Sequence, residues 1–451
     1  MRILIIGDGK VGHTLASQLS NENHDIVIVD NNAEALRKAV EKLDVLCIQG
    51  SGTNQSILRE AGIEKIDLVI AVTSSDEVNI VCSLLAHKLS RALIITRIRN
   101  PEYVESEAFI KDALGISMCM NPEQSAANEI FRLLRFPQAY SIESFVHGLV
   151  DMIEFQLTAD CPILGRPLSE IMKSIPAKIL ISIVKRNHEI YIANGNTILE
   201  AGDHVYVVGE SRQNSAFSRF LGLSDQKIRN VMIVGGGRIA YYLAQQLRRL
   251  KMRTRLIEKD PHRCEQLYHL LEEVLIINGD GTDYDLLDQE NLPDMDAFIS
   301  LTDRDEENII AGLHALDSNV QKVVVKVTKG FYSKITKGLS IISPKDLTAN
   351  RIVRFVRGVV NSEGSFVESL YRIEEGKAEV MEFKVKSSSH VTNTPLRLLD
   401  LKPNILVAAI VHKDRITIPF GDDIIREGDS VVIVTNGEYM FLDLNDILIG
   451  R

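Results

Sequence analysis

Arg2–Gly12 reads RILIIGDGKVG, and this stretch decides the fold. A β-branched run, Ile3–Ile6, ends in Gly7-Asp8-Gly9-Lys10-Val11-Gly12, and apolar residues at helical spacing begin directly after it. In a strand–turn–helix of this kind the first glycine permits the tight turn and the second lets a pyrophosphate approach the backbone. The third allows close helix–strand packing, and the helix N-terminus faces the phosphate charge. Asp30 closes the next apolar run, Ile26–Val29, where a carboxylate can accept hydrogen bonds from ribose hydroxyls. A carboxylate there also repels a 2′-phosphate, and Asn31-Asn32 offer no arginine to receive one. NAD(H) is therefore expected in preference to NADP(H).

Working outward, Val45–Ile48, Leu68–Val72 and Leu93–Thr96 are further short strands. His13–Leu19, Ala33–Leu43, Gln55–Ala61 and Asn79–Leu89 lie between the strands with helical periodicity. Apolar strands separated by crossover helices predict a Rossmann-like, doubly wound parallel sheet. Ligands bind such sheets at the carboxyl edge. Gly52 and Thr53 follow the third strand, Thr73 and Ser74 the fourth, and Arg97 ends the fifth, so all five join the glycine turn and Asp30 as candidate cofactor-binding residues.

The chain then repeats itself. Asn230–Ala240 reads NVMIVGGGRIA. Gly7 corresponds to Gly235, Gly9 to Gly237, Lys10 to Arg238, Asp30 to Glu258, and Thr73, Asp76 and Asn79 to Thr302, Asp305 and Asn308. The second candidate site is Gly235, Gly236, Gly237, Arg238, Ile239, Glu258, Asp280, Gly281 and Thr302. It departs from the first: Ala240 replaces the third glycine, and Lys259 and Arg263 stand beside the acid. A divergent pocket is expected there, with nucleotide binding and a vestigial copy both open.

Each copy continues into a smaller module. Pro122 and Pro344 precede amphipathic stretches, Glu123–Leu134 and Lys345–Val356, read as linking helices. Short strands with polar turns follow: Ile179–Val184, Glu189–Ile192 and Val205–Val208 in the first copy, and Leu406–Val411, Arg415–Ile418 and Val431–Val434 in the second. The fold class is α/β: a tandem duplication of a Rossmann-like domain followed by a small α+β domain. The expected domains are 1–137, 138–227, 228–360 and 361–451, with the junction between copies at Ser224–Arg229.

The composition restricts the function classes. A net charge of −10 disfavours a general nucleic-acid binder. The longest apolar run, Ile405–Val411, is far short of the ~20 residues of a membrane helix. Asp8 interrupts the apolar start too early for a signal peptide. Five scattered cysteines without a C-x-x-C pair fit a reducing, cytoplasmic setting and no structural metal site. Histidines are dispersed, and no nucleophile or metallohydrolase motif appears, which lowers the case for an enzyme.

With both glycine turns, Asp30 and Glu258, Gly50–Thr53 and Gly279–Thr282, and Thr73–Asn79 with Thr302–Asn308, the chain resembles the RCK (KTN) family of potassium-transport regulators. Gly165-Arg166-Pro167-Leu168, Thr394-Pro395-Leu396 and the Gly-Asp pairs at 202–203 and 428–429 carry the resemblance into the small modules. It implies a homotetrameric gating ring that binds NAD(H) and, in some members, ATP or ADP. It also implies peripheral attachment to the inner face of the membrane through a potassium channel or transporter subunit of the Trk system. An NAD-dependent oxidoreductase would instead show substrate-dependent NADH oxidation, and a redox-sensing transcription regulator would need a basic helix-turn-helix.

Overall fold

Six strands of the first copy form one parallel sheet in the computed structural model, which describes residues 1–187, 189–223, 228–328, 338–360, 367–373, 376–386, 389–439, 441 and 443–449. The first lobe runs β1 (Arg2–Ile6), α1 (Lys10–Ser20), β2 (Asp25–Asp30), α2 (Ala33–Lys42), β3 (Leu46–Gln49), α3 (Gln55–Glu60) and β4 (Leu68–Ala71). It continues through α4 (Asp76–Leu89), β5 (Leu93–Arg97), α5 (Pro101–Glu105), α6 (Glu107–Ala113), β6 (Met118–Met120) and α7 (Pro122–Arg135). Strand order is β3-β2-β1-β4-β5-β6, so the chain reverses direction across the sheet between β1 and β4, beside the glycine turn. Ile3, Leu4, Ile5 and Ile6 are all buried, because helices cover both faces. Asn32, Ser75 and Asn121 cap α2, α4 and α7 with side-chain acceptors, and Pro122 fits the first turn of α7.

The first small domain contains β7 (Ser141–Phe145), β8 (Val150–Gln156), α8 (Leu168–Ile171), β9 (Ile179–Arg186), β10 (Glu189–Ile192), β11 (His204–Gly209) and α9 (Ser211–Phe220). Its antiparallel sheet has the order β10-β9-β11-β8-β7. The second lobe repeats the first as β12 (Asn230–Val234), α10 (Arg238–Arg249), β13 (Arg253–Glu258), α11 (Pro261–Leu270), β14 (Val274–Asn278) and α12 (Tyr284–Gln289). It ends with β15 (Ala297–Ser300), α13 (Asp305–Asp317), β16 (Lys322–Lys326), β17 (Ser340–Ile342) and α14 (Pro344–Val360). The second small sheet comprises β18 (Val367–Ile373), β19 (Ala378–Lys384), β20 (Ile405–His412), β21 (Arg415–Thr417) and β22 (Ser430–Thr435).

Sequence patterning did not reveal β6, β17, β7, β8, β18 or β19. The first two are three residues long. Strand β8 carries Asp151 and Glu154 in buried positions, which breaks the apolar pattern. Their burial is tolerated because Ser144 donates to Asp151 at 2.6 Å and Ser141 to Glu154 at 2.7 Å, partners set by the sheet. Of the expected junction, residues 224–227 lie outside the described residues.

The halves exchange partners. Helix α7 leaves the first lobe and lies against α10 of the second, while α14 leaves the second and lies against α1 of the first. One continuous core therefore joins α7 and the first small sheet to Val231 and Leu243 of the second lobe. Another joins α14 and the second small sheet to Ile3 and Leu15 of the first. The two small sheets meet through Phe145, Met152 and Val208 on one side and Val380, Ala409 and Val432 on the other.

Candidate functional site

The exchange brings the carboxyl edge of the first lobe opposite the glycine turn of the second. Between them lies a cleft of about 840 Å³, within the usual size of ligand sites, roughly 300–1,000 Å³.

Gly7 turns the chain out of β1 at φ +106°, a conformation that favours glycine, and a Cβ there would lie 2.9 Å from the Thr73 amide nitrogen. Gly12 is required by packing: a Cβ would stand 1.9 Å from the Gly7 carbonyl oxygen. Gly9 is different, since its backbone is extended and nothing lies within 4 Å of the Cβ position. That open space is where a ligand can meet the backbone. Helix α1 begins at Gly9 without a side-chain cap and without an acid in its first turn, which leaves its N–H groups directed at the cleft. Gly237 and α10 repeat this arrangement.

Asp30 lines the cleft and also braces the turn, its Oδ2 accepting the Asp8 amide at 2.6 Å and its Oδ1 the Asn32 amide at 2.7 Å. Glu258 accepts from Gly236 at 2.6 Å and Asp260 at 2.8 Å. Thr73 is held by Asn79, whose Oδ1 accepts the Thr73 amide and hydroxyl, each at 2.8 Å, while its Nδ2 donates to the Arg97 carbonyl at 3.0 Å. Asn308 does the same for Thr302 and Lys326. Each buried amide ties neighbouring strand ends of its own lobe into a rim.

Arg97 donates to the Thr73 carbonyl, but its buried Nε has no hydrogen-bond partner among the described residues. Burial pushes its guanidinium down to about 10, so an anion in the cleft would satisfy both the orphan donor and the charge. Lys10, Arg97, Arg99, Arg238, Lys326 and Lys345 outnumber Asp30, Glu123 and Asp303 around the cleft, although the chain as a whole is acidic. An uncapped helix start, an open Gly9 and an unpaired arginine donor together fit a phosphate-bearing dinucleotide.

Of the residues singled out from sequence, Gly7, Gly9, Lys10, Val11, Asp30, Gly52, Thr73, Ser74 and Arg97 line this cleft. Gly12 does not, serving the packing beneath it. Asp8 points its carboxylate at His13 Nδ1, 3.2 Å away, and burial raises its pKa. Thr53 turns to Ser51 at 2.7 Å. In the second copy, Gly235, Gly236, Glu258, Asp280, Gly281 and Thr302 border a separate pocket of about 310 Å³. Across it Lys259 pairs with Asp280 at 2.6 Å, holding that carboxyl down at about 2. Gly237 borders both spaces, while Arg238 and Ile239 line the first copy's cleft. Arg99, Glu123 and Lys345 also line it, none of which the sequence had signalled: Arg99 and Glu123 stand outside the glycine turn and its acid, and Lys345 arrives only through the contact between copies.

Among the described residues no helix is long and apolar enough to cross a membrane. The TrkA-N domain family matches residues 3–122 and 231–344, and the TrkA-C domain family matches 152–222 and 380–440. The Trk system potassium uptake protein TrkA of Vibrio alginolyticus is 33% identical over 450 residues, covering 98% of this chain and 97% of that protein. TrkA homolog 2 of Methanosarcina mazei is 32% identical over 444 residues, covering 96% and 97%. Among solved structures, the GsuK channel bound to NAD superposes with a TM-score of 0.63 at 19% identity, covering 97% of this chain and 77% of that one. The GsuK RCK domain gives 0.61, covering 97% and 92%. These structural likenesses concern the fold.

Proposed function

The chain belongs to the TrkA family of Trk potassium-uptake proteins, and from that premise we propose that it is a nucleotide-binding regulatory subunit that gates a membrane potassium channel or transporter. One observation carries the reading: the cleft built on the first glycine turn is walled by the second copy, through Arg238, Asp303, Lys326 and Lys345. A ligand held there interacts with both lobes, so its affinity depends on how they are arranged. Binding then shifts the arrangement by the differential affinity and no more.

NAD(H) is the proposed ligand. Its pyrophosphate would meet the N-terminal amides of α1 across Gly9, with Lys10 and Arg97 near the charge and Asp30 at the ribose. ATP or ADP would use the same phosphate-binding elements. The second pocket is the site of a divergent nucleotide response. Four such chains would supply eight lobes, enough for a closed ring beneath the membrane partner.

The cleft holds and senses; it is poorly equipped to catalyse. Its described lining includes no histidine or cysteine. Of its carboxylates, Asp30 is engaged by backbone amides and Asp303 by Lys326 at 3.0 Å, while Glu123 faces Arg99 at 3.7 Å and keeps one buried oxygen without a hydrogen-bond partner among the described residues.

Potassium flux through the reconstituted membrane partner, measured with and without this chain and NADH, tests the proposal. Flux that responds to NADH only when the chain is present is the expected result. Enzyme-dependent NADH oxidation with a panel of carbonyl substrates, on the order of 1 s⁻¹ or faster, would instead favour an oxidoreductase.

A further inference from the structure

Lys322, the first residue of β16, is only 5% exposed. The corresponding first residue of β5 in the first lobe is Leu93, so the buried amine belongs to one copy alone. Its Nζ donates to the carbonyl of Ala139, the buried residue of the turn between α7 and β7. Among the described residues it forms no ion pair. A buried ammonium with a single neutral acceptor is costly, and a leucine would fill the place without that cost.

The position explains what the amine can do. Ala139 is the point at which the crossover helix passes into the first small domain, and β16 is part of the second nucleotide lobe. Glu154 of β8 acts on the amine across this junction, with His204 of β11, Lys185 of β9 and Tyr371 in turn around Glu154. Tyr140 follows Ala139 in the chain, and the Lys322 amide donates to the Asp296 carbonyl at 3.1 Å. His204 Nδ1 lies 2.7 Å from Glu154 Oε1, and Ser141 donates to the other oxygen at 2.7 Å. Tyr140 places its ring edge on His204, with centroids 4.8 Å apart, and donates to Gln156 at 2.7 Å. Asp296 is occupied by the Arg229 and Asn230 amides, both at 2.8 Å. Lys185 bears on Glu154, and Tyr371 of β18 is held protonated by burial.

We propose that Lys322 is a proton-operated latch between the second nucleotide lobe and the first small domain, sealing the junction at Ala139 when neutral and loosening it when charged. Burial pushes the amine down to about 7, with Glu154 opposing only in part. An unfolded lysine titrates near 10.4, so between about 7 and 10.4 the folded chain binds fewer protons than the unfolded one. The Lys322 contribution is therefore least favourable below that window and grows as pH rises through it. Acidification from about pH 10 down to neutrality loosens the seal at the end of α7, the helix whose first turn borders the ligand cleft through Pro122 and Glu123. The latch requires neither nucleotide nor membrane partner, so it stands or falls apart from the proposed function.

The test is hydrogen exchange of the full chain at residues 139–141 and 322–326, corrected for intrinsic rates, from roughly pH 6 to pH 9 at fixed ionic strength. Protection should rise with pH by up to about tenfold per unit above the Lys322 midpoint. Lys322→Leu, which installs the first copy's residue, should remove that slope, while His204→Gln should keep it. A slope absent from the unchanged chain, or undiminished in Lys322→Leu, overturns the latch. Should Lys322→Leu fail to fold, Lys322→Met replaces it, and the Cε resonance of Lys322 in the unchanged chain decides directly. A midpoint near neutrality supports the latch, and one near 10 sinks it.

Discussion

The Tyr242 hydroxyl donates to the Arg99 carbonyl at 2.8 Å, joining the first helix of the second lobe to the rim of the first lobe's cleft. The same hydroxyl accepts from Asn121 Nδ2 at 3.0 Å, at the cap of α7. Arg99 in turn reaches Asp76 through its side chain at 3.3 Å. The first copy has Thr14 at the equivalent position, and its hydroxyl returns to Lys10 O at 2.9 Å within its own helix. The bridge is thus made in one direction only, and the two copies are coupled unequally.

Tyr242→Phe keeps the ring and leaves the Arg99 carbonyl and the Asn121 amide without their partner. Stability should fall by about 1–3 kcal/mol, the cost of unpaired buried polar groups. Equilibrium urea unfolding measures this, and an unchanged midpoint would show that the bridge contributes nothing.

Glu22 anchors the opposite exchange. It accepts from Arg357 Nη2 at 2.9 Å and from Arg372 Nη2 at 2.9 Å, and both Glu22 and Arg357 are nearly inaccessible. Glu22→Ala takes from the buried Arg357 guanidinium the carboxylate it shares with Arg372, whereas Arg372 retains Glu379. Breaking a buried pair from one side costs about 3–5 kcal/mol. Thermal and denaturant unfolding should both shift, and the loss should persist in high salt because the pair is shielded from solvent.

Asp30→Ala removes the proposed ribose acceptor and the brace on Asp8 at once. NADH binding should weaken by about 1–3 kcal/mol, a drop of roughly 5- to 150-fold in affinity. Calorimetric titration of the folded variant, with circular dichroism as control, reads this out. Unchanged affinity would remove Asp30 from the site.

The glycines separate binding from folding. Gly9→Asp and Gly237→Asp enter open space and should leave the fold intact, while Gly12→Ala meets the Gly7 carbonyl and should lower stability with or without ligand. Gly9→Asp should abolish the NAD(H) response through charge repulsion and lost access to the backbone. Gly237→Asp should reduce it less, because Gly237 lies across the cleft from the first glycine turn and its own pocket carries Glu258 and the Lys259–Asp280 pair. A greater loss from Gly237→Asp would reverse the ranking of the two sites.

Much of this was legible in the chain itself. Strand periodicity, the glycine turn and Asp30 are local features: each follows from how a few neighbouring residues limit the backbone and alternate in polarity. The duplication showed in the same way, as a second set of turns with its own departures at Ala240 and Lys259. The strands β8 and β19 were hidden because buried carboxylates, Asp151 and Glu154 in one and Glu379 and Glu382 in the other, read as solvent-facing until partners from other segments satisfy them.

Tertiary structure alone decided which half covers which. The apolar stripes of α7 and α14 require burial, but periodicity names a face and not its partner, and a duplicated chain offers each stripe two similar lobes. Contacts such as Tyr242 with Arg99 and Glu22 with Arg357 join residues far apart in sequence, and they select the exchanged arrangement. For that reason the glycine turns and their acids were visible from the chain, whereas the shared cleft, with Arg238 and Lys345 facing the first copy's nucleotide edge, exists only once the halves have crossed.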